Sequence, residues 1–218
     1  MVGGIYHICN RGIRKEKIFQ DEADYHRFVI NLYRLNNKEG SLRINSYRDT
    51  VDSFPEQEKI VEILKWSLLP NHYHLVLYEK IDGGVLEFVK RLGNAFTKYI
   101  NIKKDSSGYV FQNSAKIIPI NTDKHFLHIP FYVDLNPVDL KFHGWKENKK
   151  NQSENIFNFL NNYKWSSFKD YYDDESVEHA KIINKDLFYD IYGTNSKKYL
   201  KDLKNILKGD WSTWQVDQ

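Results

Sequence analysis

"VEILKWSLLPNHYHLVLYE" (residues 61–79) decides how this chain is read. Two apolar runs, 61–69 and 72–79, are joined by Pro70 and Asn71, both turn formers, so the stretch predicts a β-hairpin. Successive side chains on a strand point to opposite faces. His72 and His74 therefore share one face, and Tyr73 is turned to the other. Two neutral imidazoles side by side supply half of a metal site, histidine being the commonest metal ligand. The plain alternative is a pair of structural histidines bonded to a carboxylate or a carbonyl, and the spacing alone leaves both readings open.

Working outward, "IYHICN" (5–10) has the composition of a strand, and "DEADYHRFVINLYRLNN" (21–37) opens with the acidic residues that suit a helix N-terminus. The polar stretch 38–60, with Pro55, reads as an insertion. Downstream, "GGVLEFVKRLGNAFTKYINIKK" (83–104) carries Leu86, Val89, Leu92, Phe96 and Ile100 at helical steps. "YVFQNSAKIIPI" (109–120) reads as a strand, with Pro119 marking an edge or an exit. The order strand, helix, strand, strand, helix, strand predicts an α+β fold with a ferredoxin-like βαββαβ core. Its helices should cover one face of an antiparallel sheet and leave the other for a ligand.

In "NTDKHFLHIPFYVDLNPVDL" (121–140), Asn121 or Thr122 can cap a helix that ends near Asn136, because Pro137 disfavours helical geometry before it. Pro130 is expected to bend this helix or restart it. In either case Tyr132 and Asn136, four residues apart, share a face. They can present a phenol as nucleophile and an amide oxygen as a metal ligand. His128, one turn before Tyr132, lies on the same stripe and could tune the phenol. Beyond residue 145, "ENKKNQSEN" (147–155) reads as a loop, "NYKWSSFKDYY" (162–172) as a packed aromatic segment, and "SKKYLKDLKNILKGD" (196–210) as an amphipathic helix.

Composition bounds the function. Of 218 residues, 41% are hydrophobic and 15% aromatic, which excludes a disordered chain. Cys9 is the single cysteine, so no internal disulfide is possible and a reducing cytoplasm is the expected location; the residue itself reads as a small buried hydrophobe. No apolar run approaches the roughly 18 to 20 residues of a membrane span, and the first residues lack a signal-peptide core. A net charge of +3 permits a nucleic-acid partner without demanding one. Basic residues gather locally, with Arg11, Arg14, Lys15 and Lys17 in one group and Lys90, Arg91, Lys98, Lys103 and Lys104 in another.

Five motifs occur in order: "YHICNRG" with "IF" (6–19), "LLPNHYHLVL" (68–77), "GYVFQ" (108–112), "FYVDLNPV" (131–138) and "YKWSSF" (163–168). Together they resemble the REP-associated tyrosine transposases, in the insertion-sequence 200-like branch of single-tyrosine HUH transposases. The resemblance implies that His72, His74 and Asn136 bind a divalent metal, magnesium or manganese. It implies that Tyr132 is the nucleophile, cutting single-stranded, hairpin-forming DNA through a 5′-phosphotyrosine link and rejoining it. It places the catalytic core in 1–145, with 146–218 as an extension packed on it, working as a monomer or a homodimer. His7, Arg11, Arg14, Lys98, Tyr99 and Lys116 are candidate DNA contacts, and Phe96, Tyr99 and Tyr109 candidate stacking platforms. A domesticated binder that no longer cuts, and a metal hydrolase that uses water, are the rival readings. The chain departs from the family pattern at Leu69 (commonly Met), Phe131 (commonly Arg) and Asp139–Leu140 (commonly Arg-Ala). It also lacks the arginine that usually precedes Phe-Lys near Lys116. Fewer cations are left to hold phosphates.

Overall fold

The structure, a computed structural model, describes residues 2–44, 49–147, 152–172 and 179–209. Its sheet has four strands in the order β2-β3-β1-β4, with β1 at Ile5–Arg11, β2 at Val61–Leu69, β3 at His72–Glu79 and β4 at Lys116–Pro119. All neighbours are antiparallel. With α1 (Glu22–Arg34) after β1 and α2 (Gly84–Lys103) after β3, this is the ferredoxin-like arrangement expected from the sequence.

Asp21 opens α1 by accepting from the Asp24 N–H, and Phe28, Val29 and Leu32 form its buried stripe. On α2 the stripe is Val85, Phe88, Val89, Leu92, Phe96 and Ile100. Both helices pack on the sheet face that carries Tyr73, whose ring lies 4.8 Å from Phe28 and 5.9 Å from Phe111. The stretch 38–60 contributes one turn of 3-10 helix, Val51–Ser53, with Val51 and Phe54 buried; part of the expected insertion, 45–48, lies outside the described residues.

Two expectations are corrected. The strand expected over 109–120 is paired only at Lys116–Pro119; upstream, Phe111 makes an isolated bridge to Gly12. And the helix holding Tyr132, α3 (Asp123–Leu135), runs through Pro130 without a break, capped by Thr122, whose hydroxyl accepts from the His125 N–H. Pro130 is buried, and the helix packs on the sheet face opposite α1 and α2. A 3-10 turn, Asn136–Leu140, follows with Pro137 in its first turn.

The C-terminal part adds α4 (Ser153–Asn162), α5 (Lys185–Tyr192) and α6 (Ser196–Leu207). Sequence reading missed α4 and α5; the loop expected at 147–155 ends inside α4, and its residues 148–151 lie outside the described residues, as does Asp210 of the last expected helix. This part closes the open edge of β2. Leu68 donates to the Trp165 carbonyl at 2.8 Å, Ser167 to the Trp66 carbonyl at 3.0 Å, and Asn184 to the Ile63 carbonyl at 3.0 Å. An edge strand with unpaired backbone groups invites pairing with other chains, and here those groups are occupied. All nine residues of β2 are consequently buried.

One irregularity in β2 matters for the site. The register steps from Ile63 opposite Leu77 to Lys65 opposite Val76, so Leu64 is bulged. Before the bulge, odd residues face α1 and α2; after it, Lys65, Ser67 and Leu69 share the face of His74 and His72. The bulged Leu64 carbonyl accepts a hydrogen bond from the Tyr171 hydroxyl.

Candidate active site

The hairpin brings His72 and His74 onto the α3 face, their ring centroids 5.1 Å apart. Strand β1 sets Cys9 opposite His74 and Arg11 opposite His72. From the other side α3 delivers Tyr132 and Asn136. The Tyr132 ring lies edge-on to His74 at 5.3 Å and to His7 at 5.8 Å. Asn136 Oδ1 is 3.2 Å from His72 Nε2. The residue has helical φ and ψ and donates its N–H to the Tyr132 carbonyl, which keeps it in phase with Tyr132.

Hydrogen bonding fixes what His72 can do. Its Nδ1 sits 2.6 Å from Asn71 Oδ1, and the Asn71 amide nitrogen donates to the Lys15 carbonyl at 3.0 Å, which sets the orientation of that amide. An amide oxygen only accepts, so Nδ1 carries the hydrogen and Nε2 a lone pair. Burial lowers the His72 pKa, so the ring is neutral at pH 7. The Asn136 side chain is among the influences that favour the Tyr132 phenolate and pull its pKa down, and its Oδ1 faces His72. Two acceptors thus meet across 3.2 Å. A cation resolves that conflict, and the spacing suits it: ligands about 2.1 Å from a six-coordinate ion, at right angles, lie about 3.0 Å apart.

His74 is oriented by a third imidazole, His7, with His7 Nε2 and His74 Nδ1 2.9 Å apart and the rings stacked. Burial depresses the His7 pKa to about 4 and holds that of His74 well below its ordinary value. A histidine that donates from Nδ1 keeps a lone pair on Nε2, the arrangement by which an outer partner orients a metal ligand. A second donor set shares His74: ligand atoms of His7, Cys9 and His74 all lie within 4.8 Å of one another. Burial pushes the Cys9 thiol up, so it is protonated at neutral pH. That makes it a poor partner for magnesium or manganese, although a thiolate would suit zinc.

Tyr132 is 38% exposed. Burial raises its pKa, while the Asn136 amide and Arg11 pull it down. The phenol is therefore protonated at neutral pH and open to solvent on one side.

The structure brings together His7, His72, His74, Tyr132 and Asn136, with Arg11 at the end of β1 and Lys116 opposite Cys9 on β4. It does not bring Lys98 or Tyr99 there. Both lie on α2 across the sheet, and Tyr99 donates to Asp24 at 3.0 Å within the α1–α2 interface. Phe96 is fully buried in the core, whereas Tyr109 is 87% exposed. Arg14 is exposed in the turn Ile13–Lys15 with φ of 52°. His128 is buried, its Nδ1 3.1 Å from the Lys124 carbonyl. Sequence reasoning missed three contributors. Asn71 was read only as a turn residue. Cys9 is half-buried on the histidine face rather than a core hydrophobe, as its position two residues from His7 signals. His125 meets His7 edge-on at 6.4 Å.

Among the described residues no helix is long and apolar enough to cross a membrane. No family model and no curated protein matches the chain. Among solved structures it is similar to a REP-associated tyrosine transposase bound to a REP hairpin, with 14% identity over 78% of this chain and 80% of that one, at a TM-score of 0.50. At that identity the likeness establishes a shared fold.

Proposed function

We propose that this chain is a metal-dependent, single-tyrosine DNA endonuclease and strand transferase, acting in the cytoplasm on hairpin-forming single-stranded DNA. The observation that carries the reading is the single cluster in which Asn136 meets His72 at 3.2 Å and the Tyr132 ring lies edge-on to His74 at 5.3 Å. His72, His74 and Asn136 would hold a divalent cation, magnesium or manganese. When bound, the ion would neutralise charge on a non-bridging phosphate oxygen.

The chain's own residues do the rest. The Tyr132 oxygen attacks phosphorus, the bond from phosphorus to the 3′ oxygen breaks, and the strand leaves as a 3′-hydroxyl. The phenol proton departs through the exposed edge of the ring, helped by the Asn136 amide and Arg11, which favour the phenolate. The resulting 5′-phosphotyrosine link conserves the phosphodiester's free energy, so a 3′-hydroxyl of another strand can reverse the step without ATP. Arg11 and Lys116, flanking the cluster, are placed to meet phosphates, and His7 holds His74. The transposase likeness supports the DNA hairpin as substrate, since that neighbour is bound to one. A second reading, hydrolysis by water, draws on the alternative His7, Cys9 and His74 donors.

The test is incubation with labelled single strands carrying hairpin repeats from the DNA flanking the gene, with Mg²⁺ or Mn²⁺, followed by a denaturing gel. A covalent adduct is expected, and it is absent in Tyr132→Phe. Cleavage without an adduct means water is the nucleophile, and a mobility shift alone means a binder. Either result overturns the proposal.

A further inference from the structure

Lys65 lies in the middle of the molecule with its side chain 0% exposed. Its ammonium donates to Asp134 Oδ2 at 2.8 Å. It also stands 3.6 Å from the centre of the Tyr171 ring, 4.2 Å from Tyr199 and 5.1 Å from Phe188. A buried, unpaired ammonium is costly, and this one is matched by one carboxylate and a cage of aromatic faces. The cage is built entirely from residues beyond 170, whereas Asp134 belongs to α3. The bulge at Leu64, held by the Tyr171 hydroxyl, is what turns Lys65 toward α3.

Asp134 stands between Tyr132 and Asn136. Two residues are roughly 200° around a helix, so it projects from the flank opposite the phenol and the amide. Tyr199 holds that flank twice. Its hydroxyl donates to Asp134 Oδ2 at 2.7 Å, and its ring stacks on Phe131 at 4.8 Å and 6°. Phe131 immediately precedes Tyr132. Farther up α3, Phe126 stacks on Tyr192 at 4.3 Å. A helix held along one flank cannot roll about its axis without breaking these contacts, and rolling is the motion that would carry Tyr132 and Asn136 off the histidines.

We infer that Lys65, Asp134 and Tyr199 are positioning residues for the tyrosine chemistry: through them the C-terminal segment fixes the rotation of α3 and so the approach of Tyr132 and Asn136 to His72 and His74. This rests on the proposed reaction for its catalytic consequence, but the geometric claim stands apart from it. A misplacement of about 1 Å costs on the order of a hundredfold in rate when reacting groups must be aligned. Loss of one anchor is therefore expected to slow adduct formation at least about tenfold.

The test uses the full chain and Tyr199→Phe, which keeps the ring and removes only the hydroxyl, with Lys65→Met beside it. Tyrosine labelled at the ring carbon bearing oxygen gives a resonance for Tyr132, identified by its loss in Tyr132→Phe, that reports the phenol's surroundings without DNA or metal. Tyr199→Phe is expected to shift or broaden that resonance and to slow adduct formation at least tenfold, with affinity for a labelled hairpin strand changed less than twofold. Val85→Ala, a destabilising change on α2 across the sheet, is expected to alter neither the resonance nor the rate. An unmoved resonance with a wild-type rate in Tyr199→Phe overturns the inference, as does a loss of rate matched by Val85→Ala at equal stability. If the wild-type chain forms no adduct, the proposed reaction fails, and the resonance still decides whether Tyr199 positions the helix.

Discussion

Removing the Lys65 charge while keeping its stem, as in Lys65→Met, strands the Asp134 carboxylate in the interior. Among the described residues its one remaining hydrogen-bond partner is the Tyr199 hydroxyl at 2.7 Å, and Asp134 Oδ1 has none. Breaking a buried pair from one side typically costs 3–5 kcal/mol. An independent route gives a similar figure: burial already raises the Asp134 pKa, and protonating a carboxyl of ordinary pKa at pH 7 costs about 4 kcal/mol. For a chain of 218 residues that corresponds to a melting temperature lower by roughly 8 to 16 °C. Lys65→Met/Asp134→Leu removes both charges and is expected to recover all but about 1 kcal/mol, because apolar replacement of a buried pair is often neutral or stabilising. The sign with pH follows. With its folded pKa above the unfolded value, Asp134 favours the fold at low pH and loses that contribution as pH rises through the folded pKa. The deficit of Lys65→Met should therefore shrink as pH falls toward about 4. Urea unfolding of the wild-type chain and these two variants at pH 7 and pH 5 measures all of this. A deficit under about 1 kcal/mol in the single variant, or a double variant no better than the single, would refute the electrostatic account of the cage.

Asn71→Ala removes the acceptor that fixes the His72 tautomer, and Mn²⁺ affinity, followed by electron paramagnetic resonance without DNA, is expected to fall 10- to 100-fold; unchanged affinity places the ion elsewhere. Because burial holds His7 at about 4 against 6.5 unfolded, the unfolded chain takes up protons that the native chain refuses as pH drops through this window. About 2 kcal/mol of stability should be lost from this group between pH 7 and pH 5, a loss that His7→Leu abolishes. A flat urea midpoint over that range in the wild-type chain counts against a neutral, buried His7.

The elements legible in the sequence are those whose signal is local. The hairpin announces itself through Pro70 and Asn71 between apolar runs, and α2 through Val89, Leu92, Phe96 and Ile100 at three- and four-residue steps. The site pairs are legible for the same reason: two-residue spacing on a strand joins His72 to His74, and four-residue spacing on a helix joins Tyr132 to Asn136. What the sequence hides depends on partners far along the chain. The run 109–120 has strand composition, yet ladder pairing with β1 is limited to Lys116–Pro119 opposite Cys9–Tyr6. A bulge at Leu64 leaves no mark in composition, so nothing flags Lys65 as a buried residue rather than a solvated one. Pro130 signals a bend or a fresh start in α3, yet the helix is continuous through it, with Pro130 buried. Tertiary contact overrides local preference in each case.

The proposed metal ligands His72, His74 and Asn136 are all neutral, since burial keeps both imidazoles uncharged at pH 7. A shell of this kind offsets none of a divalent ion's charge, and so holds it weakly on its own compared with a carboxylate-rich site. In the proposed reaction the anionic partner is the DNA phosphate, so the full charge is kept for the oxygen where it is needed. The same neutrality explains the demand on geometry. With no carboxylate to pull the ion into place, the alignment of the two rings and the amide has to come from the protein scaffold: Asn71 behind His72, His7 behind His74, and behind Asn136 the flank of α3 that Tyr199 and Lys65 hold. Phe131 belongs to this arrangement. Where the resembled family carries an arginine, this chain carries a ring stacked on Tyr199, which steadies α3 beside the proposed nucleophile.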